Sequence, residues 1–168
     1  MRIAICWAHW VGKTTISKKL SEEHNLEILP DVVVEAYRMG LGINEWTPIE
    51  TQTWLIWNQM ANEKIKESFV ADKCIFDYYV YAKVLWMDDD IVNVAKKVAL
   101  RVYDYDYIFY IKPEFPIEDD GVRSTDPEFQ QNIDETYQNF LDESRIEYNT
   151  ISWTINERFQ QINNIISK

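Results

Sequence analysis

The sequence predicts an α/β fold of three layers with a five-stranded parallel sheet, on three observations. Short apolar runs alternate with amphipathic stripes along the whole chain, the pattern of a parallel sheet covered by helices on both faces. The first apolar run, Ile3, Ala4, Ile5 and Cys6, leads into Gly12-Lys13-Thr14-Thr15 and then a helical stripe with Ile16 and Leu20, the order of strand, phosphate-binding loop and helix. The polar residues that stand out fall just after predicted strands, where an open parallel sheet binds its ligands.

Taken in order, residues 26–29 and 32–34 are apolar runs split by Pro30-Asp31, read as a second strand with its continuation. They lead into Glu35-Ala36-Tyr37-Arg38. After a looser, Gly-containing segment, Pro48 suits the first turn of a long helix reaching about residue 69. Residues 73–76 read as the third strand, ending in Asp77, with Tyr78, Tyr79 and Tyr81 on the helix that follows. Asp88-Asp89-Asp90 caps a further helix whose spacing turns Ile91, Val94, Ala95, Val98, Ala99 and Val102 to the core. Residues 107–111 form the fourth strand, stopped by Pro113. Residues 114–127 are polar, acidic and broken by prolines and a glycine, an exposed loop. A helix over 128–143 carries Phe129, Ile133, Tyr137, Phe140 and Leu141 on one face. Residues 148–151 form the fifth strand, and Ile155, Phe159, Ile162 and Ile166 the stripe of the last helix.

Composition limits the function. At 168 residues and 46% hydrophobic, the chain is expected to be one domain with a full core. A net charge of −11 opposes binding to nucleic acid or to an anionic membrane. Cys6 and Cys74, both placed in strands, read as buried free thiols of a reducing cytosol. No stretch approaches the roughly 20 apolar residues of a spanning helix, and no signal peptide is read, so a cytoplasmic protein is expected.

The phosphate-loop pattern G-x-x-x-x-G-K-[ST] matches at Gly12, Lys13 and Thr14 and fails at Trp7, where the first glycine belongs. In such a loop, backbone N–H groups wrap the β-phosphate, Lys13 neutralises charge between the β- and γ-phosphates, and the Thr14 hydroxyl holds Mg²⁺. Trp7 puts a Cβ and a ring where the chain turns sharply, and Trp10 crowds the arc that approaches the ligand. At about 7% usage a chain of this length would hold about 12 glycines; this one has Gly 4 and Trp 7. Trp46, before Thr47-Pro48, and Trp153, between a strand and a helix, also occupy turn positions. Trp7, Trp10, Trp46 and Trp153 would all read naturally as glycine if their codons are UGA in a lineage that decodes UGA as glycine; substitution or divergence are the alternatives. Trp54 and Trp86 read as ordinary core aromatics.

Lys13 follows the first strand, Glu35 and Arg38 the second, Asp77 the third and Arg123 the fourth. Taken singly, Asp77 also fits a helix N-cap, Glu35 with Arg38 a surface ion pair, and Arg123 a solvated loop charge. Arg158 fits a place near an adenine ring or, preferably, the surface. With Ala8-His9-Trp10-Val11-Gly12-Lys13-Thr14-Thr15, Glu35-Ala36-Tyr37-Arg38, Asp77 and Asp120-Gly121-Val122-Arg123-Ser124 in place, the chain resembles the P-loop nucleotide and nucleoside kinases. It is most similar to the AAA-like ATPase and kinase family that includes ribosylnicotinamide kinase domains. The resemblance implies a P-loop NTPase fold, Mg²⁺-ATP as phosphoryl donor, nucleotide contacts along Trp7 to Thr15, Lys13 on the β/γ-phosphates, Thr14 on the metal, and a lid over 114–127 whose Arg123 stabilises the transferring group. Glu35 or Asp77 would orient a hydroxyl acceptor, whereas Arg38 suits a phosphate acceptor. Related kinases often carry Asp-Arg after the third strand, where this reading has Asp77-Tyr78.

Three functions follow: a small-molecule kinase acting on a nucleoside, nucleotide or related metabolite; a regulatory module that binds ATP or GTP without transfer; and, with Trp7 and Trp10 genuine, a relative that keeps the fold without binding nucleotide. No N-K-x-D guanine-recognition motif occurs.

Overall fold

The computed structural model describes residues 1–6, 13–85, 87–111 and 125–167. Its centre is a parallel sheet of five strands in the order β2-β3-β1-β4-β5. The strands are β1 Arg2–Cys6, β2 Glu27–Leu29, β3 Phe69–Ala71, β4 Tyr107–Ile111 and β5 Asn149–Ile151. Among the described residues seven helices accompany them: α1 Lys13–His24, α2 Val32–Arg38, α3 Ile49–Ile65, α4 Ile75–Val84, α5 Asp89–Val102, α6 Pro127–Glu143 and α7 Ile155–Ile166. Among them α1 packs with α7, while α4 packs with α3, α5 and α6. No helix among the described residues is long and apolar enough to cross a membrane.

The central strands explain the register. Ile3, Ala4, Ile5 and Cys6 are buried on both faces, and β1 pairs Ala4 with Ala71 of β3 and with Ile108 of β4. The chain leaves β1 toward the β2 edge, returns through β3 and then crosses to β4. That reversal opens a crevice between β1 and β3 at their carboxyl ends, the place where such sheets bind ligands.

β4, α6 and α7 fall where the periodicity puts them, but four segments differ. Val32 to Val34 open α2 rather than continue a strand. Pro30 cannot donate to a ladder, and the Asp31 side chain caps the helix by accepting the Val33 N–H at 2.9 Å. The third strand is Phe69–Ala71 and not 73–76, because α3 ends at Ile65 and Phe69, Val70 and Ala71 are the apolar run that slots between β1 and β2. Cys74, placed in a strand by sequence, is the N-cap of α4. In α5 Ala95 and Ala99 are buried as expected and Val98 packs against the core, but Val92, outside the expected stripe, is buried with them while Val94 faces solvent.

Backbone sign separates the tryptophans. Trp153, between β5 and α7, has φ 85° and is 65% exposed. The other left-handed non-glycine residues among those described are Asn25, Asn44 and Arg145. Asparagine tolerates that region, while a bulky aromatic residue is strained there. Trp46 has no left-handed φ and lies in a short 3-10 turn, Asn44–Trp46, with its ring in solvent. Trp54 packs against the core from α3. Trp7, Trp10 and Trp86 lie outside the described residues.

Candidate active site

A hydrogen bond bridges the crevice between β1 and β3. Thr14, in the first turn of α1, donates from Oγ1 to Asp72 Oδ2 at 2.7 Å. Asp72 directly follows β3 and is only 7% exposed. Its other oxygen, Oδ1, is buried with no hydrogen-bond partner among the described residues. A buried carboxylate oxygen is costly unless something compensates it. A hydroxyl and a carboxylate side by side are hard oxygen donors of the kind that hold Mg²⁺ with phosphates, so the residues present fit the metal that the sequence implied through Thr14.

Beside this pair lies a cavity of about 480 Å³, lined by Thr14 and Asp72 on one side and by Asp31, Val34, Glu35 and Arg38 of the β2–α2 segment on the other. Glu35 and Arg38 sit one turn apart on α2 and are both exposed. Adjoining it, and sharing Asp31 and Val34, a narrow apolar cleft of about 20 Å³ runs between α2, α3 and α4, lined by Leu55, Gln52, Lys73, Tyr78 and Tyr81 among others. Gln52 reaches across the cleft floor from α3 and donates to the Tyr78 carbonyl at 2.5 Å. Lys73 is buried, with its ammonium 4.4 Å from the centre of the Tyr81 ring, a favourable cation–π arrangement.

Of the residues singled out by sequence, Thr14, Glu35 and Arg38 meet in the larger cavity. Thr15 lies exposed in the first turn of α1, and Lys13 opens that helix. Trp7, Ala8, His9, Trp10, Val11, Gly12 and Arg123 lie outside the described residues. Asp77 lines neither of these two cavities. It is fully buried in α4, where Oδ2 accepts the Cys74 N–H at 2.8 Å; Asp77 is the third residue of the helix and completes a capping box, while the N-cap itself is Cys74. Arg158 is fully buried on the inner face of α7 with Ile162, which overturns the surface reading. Cys6 and Cys74 are both buried, with their sulfurs 3.6 Å apart. Burial pushes the Cys74 thiol up from its ordinary value, keeping it protonated.

The sequence reading missed Asp72-Lys73. With β3 at Phe69–Ala71, this dipeptide, an acid followed by a cation, occupies the place where Asp-Arg was expected. The signal was present in the sequence; the strand boundary hid it.

The profile of a family described as AAA domain matches residues 2–158. The chain belongs to the AAA domain family. Among solved structures, this AAA domain is similar over its whole length to the deoxyadenosine kinase of M. mycoides, with 18% identity, a TM-score of 0.71 and coverage of 99% of this chain and 98% of that one. NadR in complex with NAD and AMP-PNP gives a TM-score of 0.76 at 15% identity, covering 98% of this chain and 48% of NadR, so the chain spans about half of that protein. Thymidylate kinase from Ehrlichia chaffeensis gives 0.68 at 15% identity, with 99% and 98% covered. The fold is therefore that of the P-loop nucleoside and nucleotide kinases. No curated protein matches the chain.

Proposed function

We propose that this AAA domain is a kinase that transfers the γ-phosphoryl group of ATP to a nucleoside, nucleotide or related small metabolite in the cytoplasm. The observation that carries the reading is the Thr14–Asp72 pair, whose second carboxylate oxygen is buried without a partner among the described residues, facing a cavity whose other wall holds Glu35 and Arg38. Thr14 Oγ1 and Asp72 would hold Mg²⁺, which when bound neutralises charge on the donor phosphates.

Each remaining role follows from what phosphoryl transfer demands, which is mostly positioning and charge neutralisation. Lys13 contacts the β- and γ-phosphates at the start of α1, where the helix dipole favours anions. The acceptor lies in the larger cavity, with its planar part toward the apolar cleft and Lys73. A hydroxyl acceptor gives its proton to Glu35 as its oxygen bonds to the γ-phosphorus and the bond from that phosphorus to the bridging oxygen breaks, releasing ADP. A phosphate acceptor is held instead by Arg38. Arg123 has the role the resemblance implies, stabilising the charge of the transferring group. Asp77 supports α4 from within the core.

A panel of nucleosides and nucleoside monophosphates with Mg²⁺-ATP tests the reading. One or more acceptors should raise ADP release well above that with ATP alone. If ATP or GTP binds and no acceptor is turned over, the protein is a regulatory nucleotide binder. If neither nucleotide binds, it is a non-binding relative.

A further inference from the structure

The turn that carries Asp72 and Lys73 is held from both ends. On its near side the β3 ladder stops at Ala71, paired with Ala4 and Leu29. On its far side two buried polar residues of α3 grip the backbone. Gln59 Nε2 donates to the Lys73 carbonyl at 2.9 Å and to Glu63 Oε1 at 2.8 Å. Glu63 Oε1 also accepts the Ile75 N–H at 2.9 Å, and Glu63 Oε2 accepts the Tyr105 hydroxyl at 2.7 Å. Tyr78 closes the network by donating to Gln59 Oε1 at 3.3 Å.

This arrangement serves the backbone of the turn rather than the packing around it. The surroundings are apolar, with Phe76 packed edge-on against Tyr105 and Phe69 likewise. Leucine at either α3 position would match the apolar surroundings but would take from a buried backbone group of the turn, Lys73 O or Ile75 N–H, the partner it has here, so the two polar side chains serve the turn and not the space they fill. What they add is direction: the hydrogen bonds end on Lys73 O and Ile75 N, backbone atoms one and three residues beyond Asp72. Fully satisfied polar networks of this kind specify one geometry where apolar packing tolerates several.

Resting on the kinase reading above, we infer that Gln59 and Glu63 are positioning residues: α3 uses them to hold the Asp72–Lys73 turn at the distance from Thr14 that phosphoryl transfer requires. Neither touches the cavity or the reacting atoms; each acts through the backbone of the turn.

The test compares Glu63→Leu, Gln59→Leu and Glu63→Gln in the full chain, each first shown to be folded by circular dichroism. A misplacement of about 1 Å costs roughly 100-fold in rate, so the leucine variants should lose about 10- to 100-fold in kcat while KM for the acceptor changes by less than about threefold. Glu63→Gln keeps a carbonyl for Ile75 and Gln59 and an amide for the Tyr105 oxygen, and should recover most of kcat. In parallel, Mn²⁺ binding with ADP present, read by electron paramagnetic resonance, should weaken at least about threefold in the leucine variants and return in Glu63→Gln. Leucine variants that fold and keep both kcat and Mn²⁺ affinity within twofold of the parent overturn the inference. So does a Glu63→Gln variant as impaired as Glu63→Leu. If Glu63→Leu does not fold, Gln59→Leu, which severs the tie to Lys73 O, decides the matter by the same measures. If the parent turns over no acceptor, the kinase reading fails by itself, and the Mn²⁺ measurement still decides whether α3 positions Asp72.

Discussion

Comparing Trp153→Gly with Trp153→Ala isolates the backbone at one residue, because both substitutions remove the same ring. At φ 85° a residue with a Cβ carries a penalty of about 1–2 kcal/mol that glycine avoids. Glycine in turn loses more freedom on folding, by about 0.5–1 kcal/mol relative to alanine. The difference leaves Trp153→Gly more stable than Trp153→Ala by about 1 kcal/mol, or about 2–4 °C in Tm for a domain of this size. The control is the same pair at Trp46, whose backbone is not left-handed; there the order should reverse, with alanine ahead by about 0.5–1 kcal/mol. Thermal unfolding of the four variants reads both comparisons. An alanine at 153 as stable as the glycine refutes the reasoning, since it would mean that the backbone there asks nothing special. The same position bears on the decoding of UGA. In protein purified from its own cells, the mass of the tryptic peptide of residues 146–158 should carry glycine at 153; tryptophan in that peptide ends the recoding explanation there.

Two further outcomes follow from buried carboxylates. Asp72→Asn should weaken Mn²⁺ binding by 10-fold or more, roughly the worth of one charge-assisted contact, without lowering Tm, because it removes a buried charge and keeps an oxygen for the Thr14 hydroxyl; a fall in Tm with unchanged metal affinity would show that Asp72 serves the fold and not the site. Burial raises Glu63 from 4.5 to about 7, with hydrogen bonds from Gln59, Tyr105 and Ile75 pulling the other way and the Asp77 charge adding to the rise. The folded protein therefore holds this proton where the unfolded chain has released it. Stability from this group is complete below about pH 4.5 and is lost as pH rises through about 7, on the order of 3 kcal/mol at 1.36 kcal/mol per unit. Urea unfolding at pH 5 and pH 8 should show that loss in the parent and not in Glu63→Gln; equal losses in both would assign it to other groups.

The parts of this fold that could be read from sequence are those where one signal acts alone. β4 is a single five-residue apolar run, and α6 shows an uninterrupted helical stripe whose five apolar residues are all buried. Reading failed where signals conflict. Val32 to Val34 are β-branched and suit a strand, yet Pro30 and the Asp31 cap commit them to a helix. From Phe69 to Phe76 two apolar triplets, Phe69-Val70-Ala71 and Cys74-Ile75-Phe76, flank Asp72-Lys73, and apolar character alone does not say which triplet is the strand and which opens α4. That one boundary moved the third site position from Asp72 to Asp77. Thr14, Glu35 and Arg38 were legible because each is fixed by its distance from a strand that was placed nearly right. Arg158 was misread because a charge beside an apolar stripe ordinarily belongs to solvent, and here it lies inside.

The brevity of the outermost strands bears on how this protein behaves at high concentration. β2 and β5 are three residues each, so each margin of the sheet offers a foreign strand very little ladder to extend. At the β2 margin Glu27 is engaged by Lys66 at 2.6 Å, and Pro30 follows at once without an N–H to donate. Charge, proline and shortness are the means by which sheet proteins refuse edge-to-edge stacking. With a net charge of −11 adding repulsion between molecules, an acidic sheet protein of this design should stay dispersed where longer, flatter margins would seed aggregates.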